Sequence, residues 1–431
     1  MPRNAVSKII AYVQCYLIEV PARIEEMTQQ NHQNSKILIT SEKTGTWHYP
    51  SKKLIKPVRE RADAGDPNEI SKIIDEVLFN HGIEVNVEEA NVGSRLTQYL
   101  AKITKGEVPS NLTKLNDVLS SALDINGVCI VTAEMIPSVI SVEVPNIASA
   151  VVSLGRYLDS AEFNAADSKL AFILGLNLYG KLEICDLGKV QHLLITGQTG
   201  SGKSLFFDNI LVNLLIKNSP SELRLIAIDP KYVQFTAYKD IPHLITPIVN
   251  DPEHAKSAIL WAIEEIDRRY KYFAQSEFKN INSYNENTKI DKMPNILVVC
   301  DEIADLMMLD GKFYDDAFMK IAQKGGEVGV HVIISTSRPS TDVITDTMLD
   351  NIHTKLAFTA SNDVDSKRII NRSGAENLLS RGDFLYKDVE SSSLKRIQAP
   401  YLTDDDVVAV TSKLRSSGGA NYLDLHENTS K

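Results

Sequence analysis

Eight residues, Gly197-Gln198-Thr199-Gly200-Ser201-Gly202-Lys203-Ser204, have the spacing of a phosphate cradle. Glycines in such a turn let the backbone approach an anion that Cβ atoms would hold off. The helix that follows adds oriented N–H groups and a positive dipole end. In this pattern Lys203 reaches the β- and γ-phosphates, and the Ser204 hydroxyl ligates Mg²⁺. About a hundred residues further on, the apolar run Ile296-Leu297-Val298-Val299-Cys300 delivers Asp301 and Glu302. Carboxylates at the end of a buried strand lie where open α/β sheets hold their ligands. Asp301 is suited to hold Mg²⁺, usually through water, and Glu302 to orient and deprotonate an attacking water. The two stretches together predict a nucleoside triphosphate and Mg²⁺ as ligands, and hydrolysis as the chemistry.

Both stretches need a sheet to carry them. The segments 193–195, 223–228, 296–300, 331–335 and 355–358 are short and rich in Ile, Leu and Val, as parallel strands covered on both faces are. With helical segments between them they predict a doubly wound α/β domain over 160–414. Upstream, Ile70, Ile73, Ile74, Val77 and Leu78 have helical spacing, and Ile83, Val85 and Val87 alternate as a strand. An apolar stretch at 96–103, an amphipathic helix over 111–123 and strands at 128–132 and 139–144 complete a small α+β domain over 68–159. Residues 1–67 have no assignable role, although 9–20 and 36–40 could form elements. Residues 415–431 are polar and read as a mobile tail.

Composition narrows the class. The 431 residues are 43% apolar and 24% charged, with a formal charge of −10, so this is not a globally basic nucleic-acid binder and any contact with phosphate must be local. No run reaches the ~18 apolar residues of a membrane span. Residues 9–20 are too short and polar for an anchor and lack the flanks of a signal peptide. Cys15, Cys129, Cys185 and Cys300 have no metal or redox spacing and read as buried reduced thiols. His243 reads as structural, Arg268 and Arg269 as either a solvated helix face or an interface, and Asp229 and Lys231 as lying at the ligand edge.

Further blocks follow the phosphate loop in order: Ile228-Asp229-Pro230-Lys231, Ile241-Pro242-His243-Leu244, Asp301-Glu302-Ile303-Ala304-Asp305-Leu306-Met307-Met308, Ser337-Arg338-Pro339-Ser340, Asp342-Val343-Ile344-Thr345, Gly374-Ala375-Glu376-Asn377-Leu378-Leu379 and Arg381-Gly382-Asp383-Phe384-Leu385-Tyr386. In these the chain resembles the FtsK/SpoIIIE-type DNA translocases, hexameric ATP-driven motors. The resemblance implies a RecA-like P-loop ATPase core, with ATP as its nucleotide and residues 68–146 as the family's small preceding domain. It also implies a homo-oligomer, expected to be a hexamer, threading double-stranded DNA through its pore. Arg338, Lys367 and Arg368 are then the candidate DNA contacts, and the segment 341–352 faces the DNA. Neither a membrane region nor a winged-helix domain is found, so a stand-alone, soluble, cytoplasmic motor core is expected.

Three departures stand out. Gly326 occupies the place of the arginine that such motors extend into the neighbouring subunit's ATP site, leaving Lys324 and Arg338 as candidates for its task. Ser337 replaces a glutamine, and Leu349 and Asp363 replace basic residues of the pore. The acidic balance and depleted pore keep open a related FtsK/HerA-type ATPase that drives protein or nucleoprotein transport in conjugation, secretion or virion packaging. A mainly structural ATP-binding ring is a third reading.

Overall fold

The computed structural model describes residues 47–423 and 425, apart from 59–60, 106–113, 133–137, 277, 289–291 and 389–393. Segments 9–20 and 36–40, and Cys15, lie outside the described residues.

The first domain starts with α1 (Pro67–Asn80). Asp66 caps it by accepting from the Asn68 N–H at 2.9 Å, and Pro67 presets the first turn. Ile70, Ile74 and Leu78 form its buried stripe, and Gly82, at φ +83°, turns the chain away. Four antiparallel strands follow: β1 (Glu84–Val92), β2 (Leu96–Lys105), β3 (Cys129–Thr132) and β4 (Val139–Pro145), in the order β1-β2-β4-β3. Helix α2 (Lys114–Leu123) packs with α1 on one face of this sheet, around Tyr99, Ile130 and Val142.

The second domain is a nine-stranded mixed sheet. Its strands are β5 (Ala171–Asn177), β6 (Leu182–Asp186), β7 (His192–Thr196), β8 (Leu223–Ile228), β9 (Asn295–Cys300), β10 (Val330–Thr336), β11 (Thr354–Phe358), β12 (Asp383–Lys387) and β13 (Leu394–Gln398). The order is β6-β5-β13-β12-β11-β7-β10-β9-β8. The five strands expected from their apolar runs form the parallel half, β11 to β8. The other four add antiparallel strands on one side, which the apolar runs did not reveal.

Each parallel strand feeds two cores. Leu193 and Ile195 enter one cluster with α3 (Lys203–Lys217), while Leu194 enters the other with α4 (Pro252–Ser276) and α5 (Ile303–Lys324). Leu297 and Val299 against Val298 and Cys300 repeat the division on β9. This burial on both faces explains why the runs are predominantly apolar rather than alternating. Helices α6 (Asp363–Ile370) and α7 (Asp404–Ser417) complete the domain.

The two domains are joined by charge. Arg396 on β13 donates to Asp383 at 2.5 and 3.1 Å and to Glu143 of β4. Arg95 donates to the carbonyls of Leu379, at 3.2 Å, and Ser380. The N-terminal and C-terminal ends of the described chain are also tied down. Trp47 meets His243 edge-on at 5.6 Å, and Ile55 lies in the large core. Residues 415–423, expected to be mobile, are instead docked: the Leu423 N–H donates to Ile245 O at 2.8 Å and the Tyr422 hydroxyl to Asp240 at 2.8 Å. Cys129, Cys185 and Cys300 are free and buried. Among the described residues, no helix is long and apolar enough to cross a membrane.

Three buried histidines set an acid limit. Burial pushes His192 down to about 3 and His243 and His331 to about 4. They are neutral in the native chain and charged in the unfolded one below the ordinary value near ~6.5, so their stabilisation is complete above that pH and lost as pH falls. Asp208, on α3 and bonded to the Tyr238 hydroxyl at 2.8 Å, works against this: burial pushes it up to about 7, so it regains stability on acidification. The three histidines outweigh Asp208, so between roughly pH 6 and pH 4 the net direction is a loss of stability on acidification. Urea unfolding at pH 7 and pH 5 should therefore show the lower midpoint at pH 5, and a rise would contradict it.

Candidate functional site

The loop between β7 and α3 is built as a cradle. Gly197, Gly200 and Gly202 have φ of +149°, +81° and +108°. A Cβ on Gly197 would stand 2.5 Å from Phe358, and one on Gly202 2.4 Å from the Gly382 backbone nitrogen. Glycine at these two positions is thus required by conformation and by close approach. The loop is strapped to three neighbours: Gly197 N–H to Thr336 O at 3.3 Å, Gln198 N–H to Thr359 O at 2.8 Å, and Gly382 N–H to Ser201 O at 2.7 Å. Thr199, Gly200 and Ser204 remain exposed at its rim. No side chain caps α3, so its first N–H groups are open to an anion. Lys203 donates to Gly197 O and, at 3.2 Å, to Gln198 O. Burial lowers its pKa while Glu302 and Asp301 raise it, so this is a cation aimed into the loop and facing two acids.

Asp301 and Glu302 face that loop from the end of β9. The Ser335 hydroxyl donates to Asp301 at 2.6 Å. Burial, with the neighbouring Asp229 and Glu302 carboxylates, holds Asp301 above the ordinary value despite that bond. Asp301 is thus a crowded carboxylate that a divalent cation would stabilise, and the Ser204 hydroxyl and Asp301 are hard oxygen donors of the kind Mg²⁺ takes. A bound Mg²⁺ would neutralise phosphate charge, and Ser204 and Asp301 are residues that could hold it.

Glu302 is 6% exposed. Its carboxylate accepts from Lys231 Nζ at 3.1 Å, Thr336 Oγ1 at 2.8 Å, Ser337 Oγ at 2.5 Å and the Ser337 N–H at 3.1 and 3.2 Å. Burial pushes its pKa up, but bonds from Ser337, Thr336 and Lys231 win and hold it below the ordinary value. Thr336 and Ser335 were not singled out from sequence. Their signal was a polar Ser-Thr-Ser run closing an apolar strand at the ligand edge. Asp229 and Lys231 lie where expected: Asp229 accepts from the Lys231 and Phe235 N–H groups at 3.2 Å each, fixing the turn that presents Lys231.

The other expected residues are spread out. Arg338 pairs with Asp342 at 3.1 Å and Lys367 with Asp363 at 2.7 Å, both on the surface. Arg368 is only 18% exposed, donating to Ile344 O and to Asp346 at 3.2 Å. Of the 341–352 segment, Val343, Ile344, Met348 and Ile352 are buried in the core shared with α4 and α5 and Leu349 packs against it, leaving Thr341, Asp342, Asp346 and Asp350 as its exposed residues. Gly326 abuts Gln191: a Cβ there would stand 2.3 Å from the Gln191 side chain. Arg269 is fully buried, so of the adjacent pair only Arg268 reaches the surface. His243 is buried against Asn218 O at 3.0 Å, a structural placement.

Comparison with known proteins matches this geometry. The profile of the FtsK/SpoIIIE family matches residues 153–341, and that of the FtsK alpha domain residues 49–146. DNA translocase FtsK of Haemophilus influenzae is 36% identical over 398 residues, 85% of this chain and 74% of the relative. DNA translocase SftA of Bacillus subtilis is 35% identical over 410 residues, 94% of this chain and 43% of the relative. DNA translocase FtsK of Caldanaerobacter subterraneus is 34% identical over 95% of this chain, which spans 58% of it. The chain thus spans about half the length of several relatives it matches. Among solved structures, the pCW3 conjugation coupling protein TcpA with ATPγS has a TM-score of 0.56 at 20% identity, over 81% of this chain and 99% of that one. The Type VII secretion ATPase EccC of Thermomonospora curvata has a TM-score of 0.51 at 22% identity, over 57% and 31%. The fold is therefore the α/β core of the P-loop ATPases, preceded by a small α+β domain, and the chain belongs to the FtsK/SpoIIIE family.

Proposed function

We propose that this chain is the motor core of an ATP-driven ring, expected to be a homo-hexamer in the cytoplasm, that moves double-stranded DNA through its pore. The observation that carries this reading is the facing pair of half-sites, Lys203 against Asp301 and Glu302, in a chain 36% identical to a DNA translocase over 85% of its length. Lys203 and the loop Gly197 to Ser204 hold the triphosphate. Ser204 and Asp301 hold Mg²⁺, and Glu302 takes the proton from the attacking water. Arg338, Lys367 and Arg368 supply phosphate contacts. Each already has a carboxylate partner, so DNA must displace Asp342, Asp363 and Asp346.

ATP turnover measured with and without long linear duplex tests this reading. Turnover should rise with DNA and vanish in Lys203→Ala. DNA affinity should fall with salt, with a slope of log K on log[salt] of about −0.9 per phosphate contact. The formal charge of −10 and the paired cations favour a second reading, transport of protein or nucleoprotein. Turnover indifferent to duplex DNA, with no salt-dependent binding, would select it.

A further inference from the structure

A carboxylate has about four lone-pair sites, and those of Glu302 are all taken by Lys231, Thr336 and Ser337. A carboxylate so filled has no lone pair free to accept from an attacking water. To accept a proton from water, Glu302 has to give up donors. Two of its three partners are adjacent residues at one place, the end of β10, where the loop to Thr345 begins. That loop carries Arg338. The Thr336 hydroxyl bonded to Glu302 also accepts from the Arg338 N–H at 3.0 Å. The Arg338 side chain and its partner Asp342 are 58% and 56% exposed. An incoming anion thus reaches a guanidinium one residue from the strongest donor to the catalytic carboxylate. Glu302 itself has φ 53° and ψ 67°, a left-handed conformation that residues with a Cβ seldom adopt, and one that aims its side chain at this cluster.

We infer that Ser337, with Thr336 and Lys231, latches Glu302 in an inactive posture, and that displacement of the Arg338 loop by a bound polyanion opens the latch. Ser337 is a positioning residue: it sets when the base is available and does not touch the reacting atoms. The latch rests on the reading of Glu302 as the base, and its trigger on the reading of Arg338 as a contact to DNA phosphate.

The test is steady-state ATP turnover of the full chain, with and without linear duplex, in wild type, Ser337→Ala and Ser337→Thr. Ser337→Ala should raise the DNA-free rate at least about threefold and shrink the stimulation by DNA, and Ser337→Thr, which keeps the hydroxyl, should behave as wild type. A fall of both rates in the same proportion, or no change in either, overturns the latch. A wild type indifferent to DNA, with Ser337→Ala still accelerated, overturns the trigger and the DNA reading but upholds the latch. If Ser337→Ala shows no folding transition, Ser337→Cys replaces it; its weaker donor should give an intermediate acceleration, and a rate at or below wild type again overturns the latch.

Discussion

Replacing Glu302 by glutamine is expected to cut ATP turnover by at least ~100-fold while ATP binding survives, the size of effect typical of removing a positioned general base. The amide is nearly the same shape, so the strap of the phosphate loop to Thr336, Thr359 and Gly382 is untouched. The amide oxygen can still accept from Thr336 or Ser337. What is lost is the ability to take a proton, and with it half of the negative charge that faces Lys203. Lys203→Ala differs in kind, because Lys203 is the cation we propose to grip the phosphates, so binding should be abolished first. Binding of a fluorescent ATP analogue beside single-turnover hydrolysis separates the two. A Glu302→Gln protein that turns over within tenfold of wild type would remove Glu302 from its role.

The second large effect is on stability. Arg269→Ala should cost about 3–5 kcal/mol, the range for breaking a buried ion pair from one side. Arg269 is fully buried, with Nε on Glu265 at 2.8 Å, one terminal nitrogen on Val328 O at 2.7 Å and the other on Pro294 O at 2.8 Å. It therefore joins α4 to the start of β9 and to the turn that precedes β10, the two strands that end in Asp301 and the Ser335-Thr336-Ser337 run. Alanine leaves Glu265 inside the protein with Arg268, at 2.9 Å, as its remaining cation, and two carbonyls without a donor. Guanidinium unfolding measures the loss, and Glu265→Met/Arg269→Met should recover part of it, since the buried carboxylate is then gone. A loss under ~1 kcal/mol in Arg269→Ala would show that Arg268 alone neutralises Glu265.

How much of this was legible in the chain depends on whether the cause was local. The five parallel strands could be read because burial on both faces makes each a largely apolar run. Strands β12 and β13 could not: Leu394-Lys395-Arg396-Ile397-Gln398 looks like a solvated segment, and Arg396 is buried only because Asp383 and Glu143 come to it from elsewhere. The tight turn between strand and helix was legible at Gly197 and Gly202, since glycine at positive φ next to a crowded neighbour leaves no substitute. The clamp on Glu302 was not, because its donors lie 34 and 35 residues away on the next strand. The i,i+4 spacing of Asp363 and Lys367 was readable as an ion pair; the contact of Arg368 with Ile344 O was not.

The charged seam between the two sheets has a consequence for inheritance as well as for stability. A guanidinium does not discharge on burial, so Arg396 must always find its acids. One of them, Glu143, belongs to the preceding domain. A chain cut after Pro145 keeps the cation and discards part of its neutralisation. The boundary is therefore no perforation along which such proteins can be torn and recombined. A chimera that borrows its first domain from one relative and its motor from another works only if Glu143, Asp383 and Arg396 travel together, so the three positions must be exchanged as one character although 253 residues separate the first from the last.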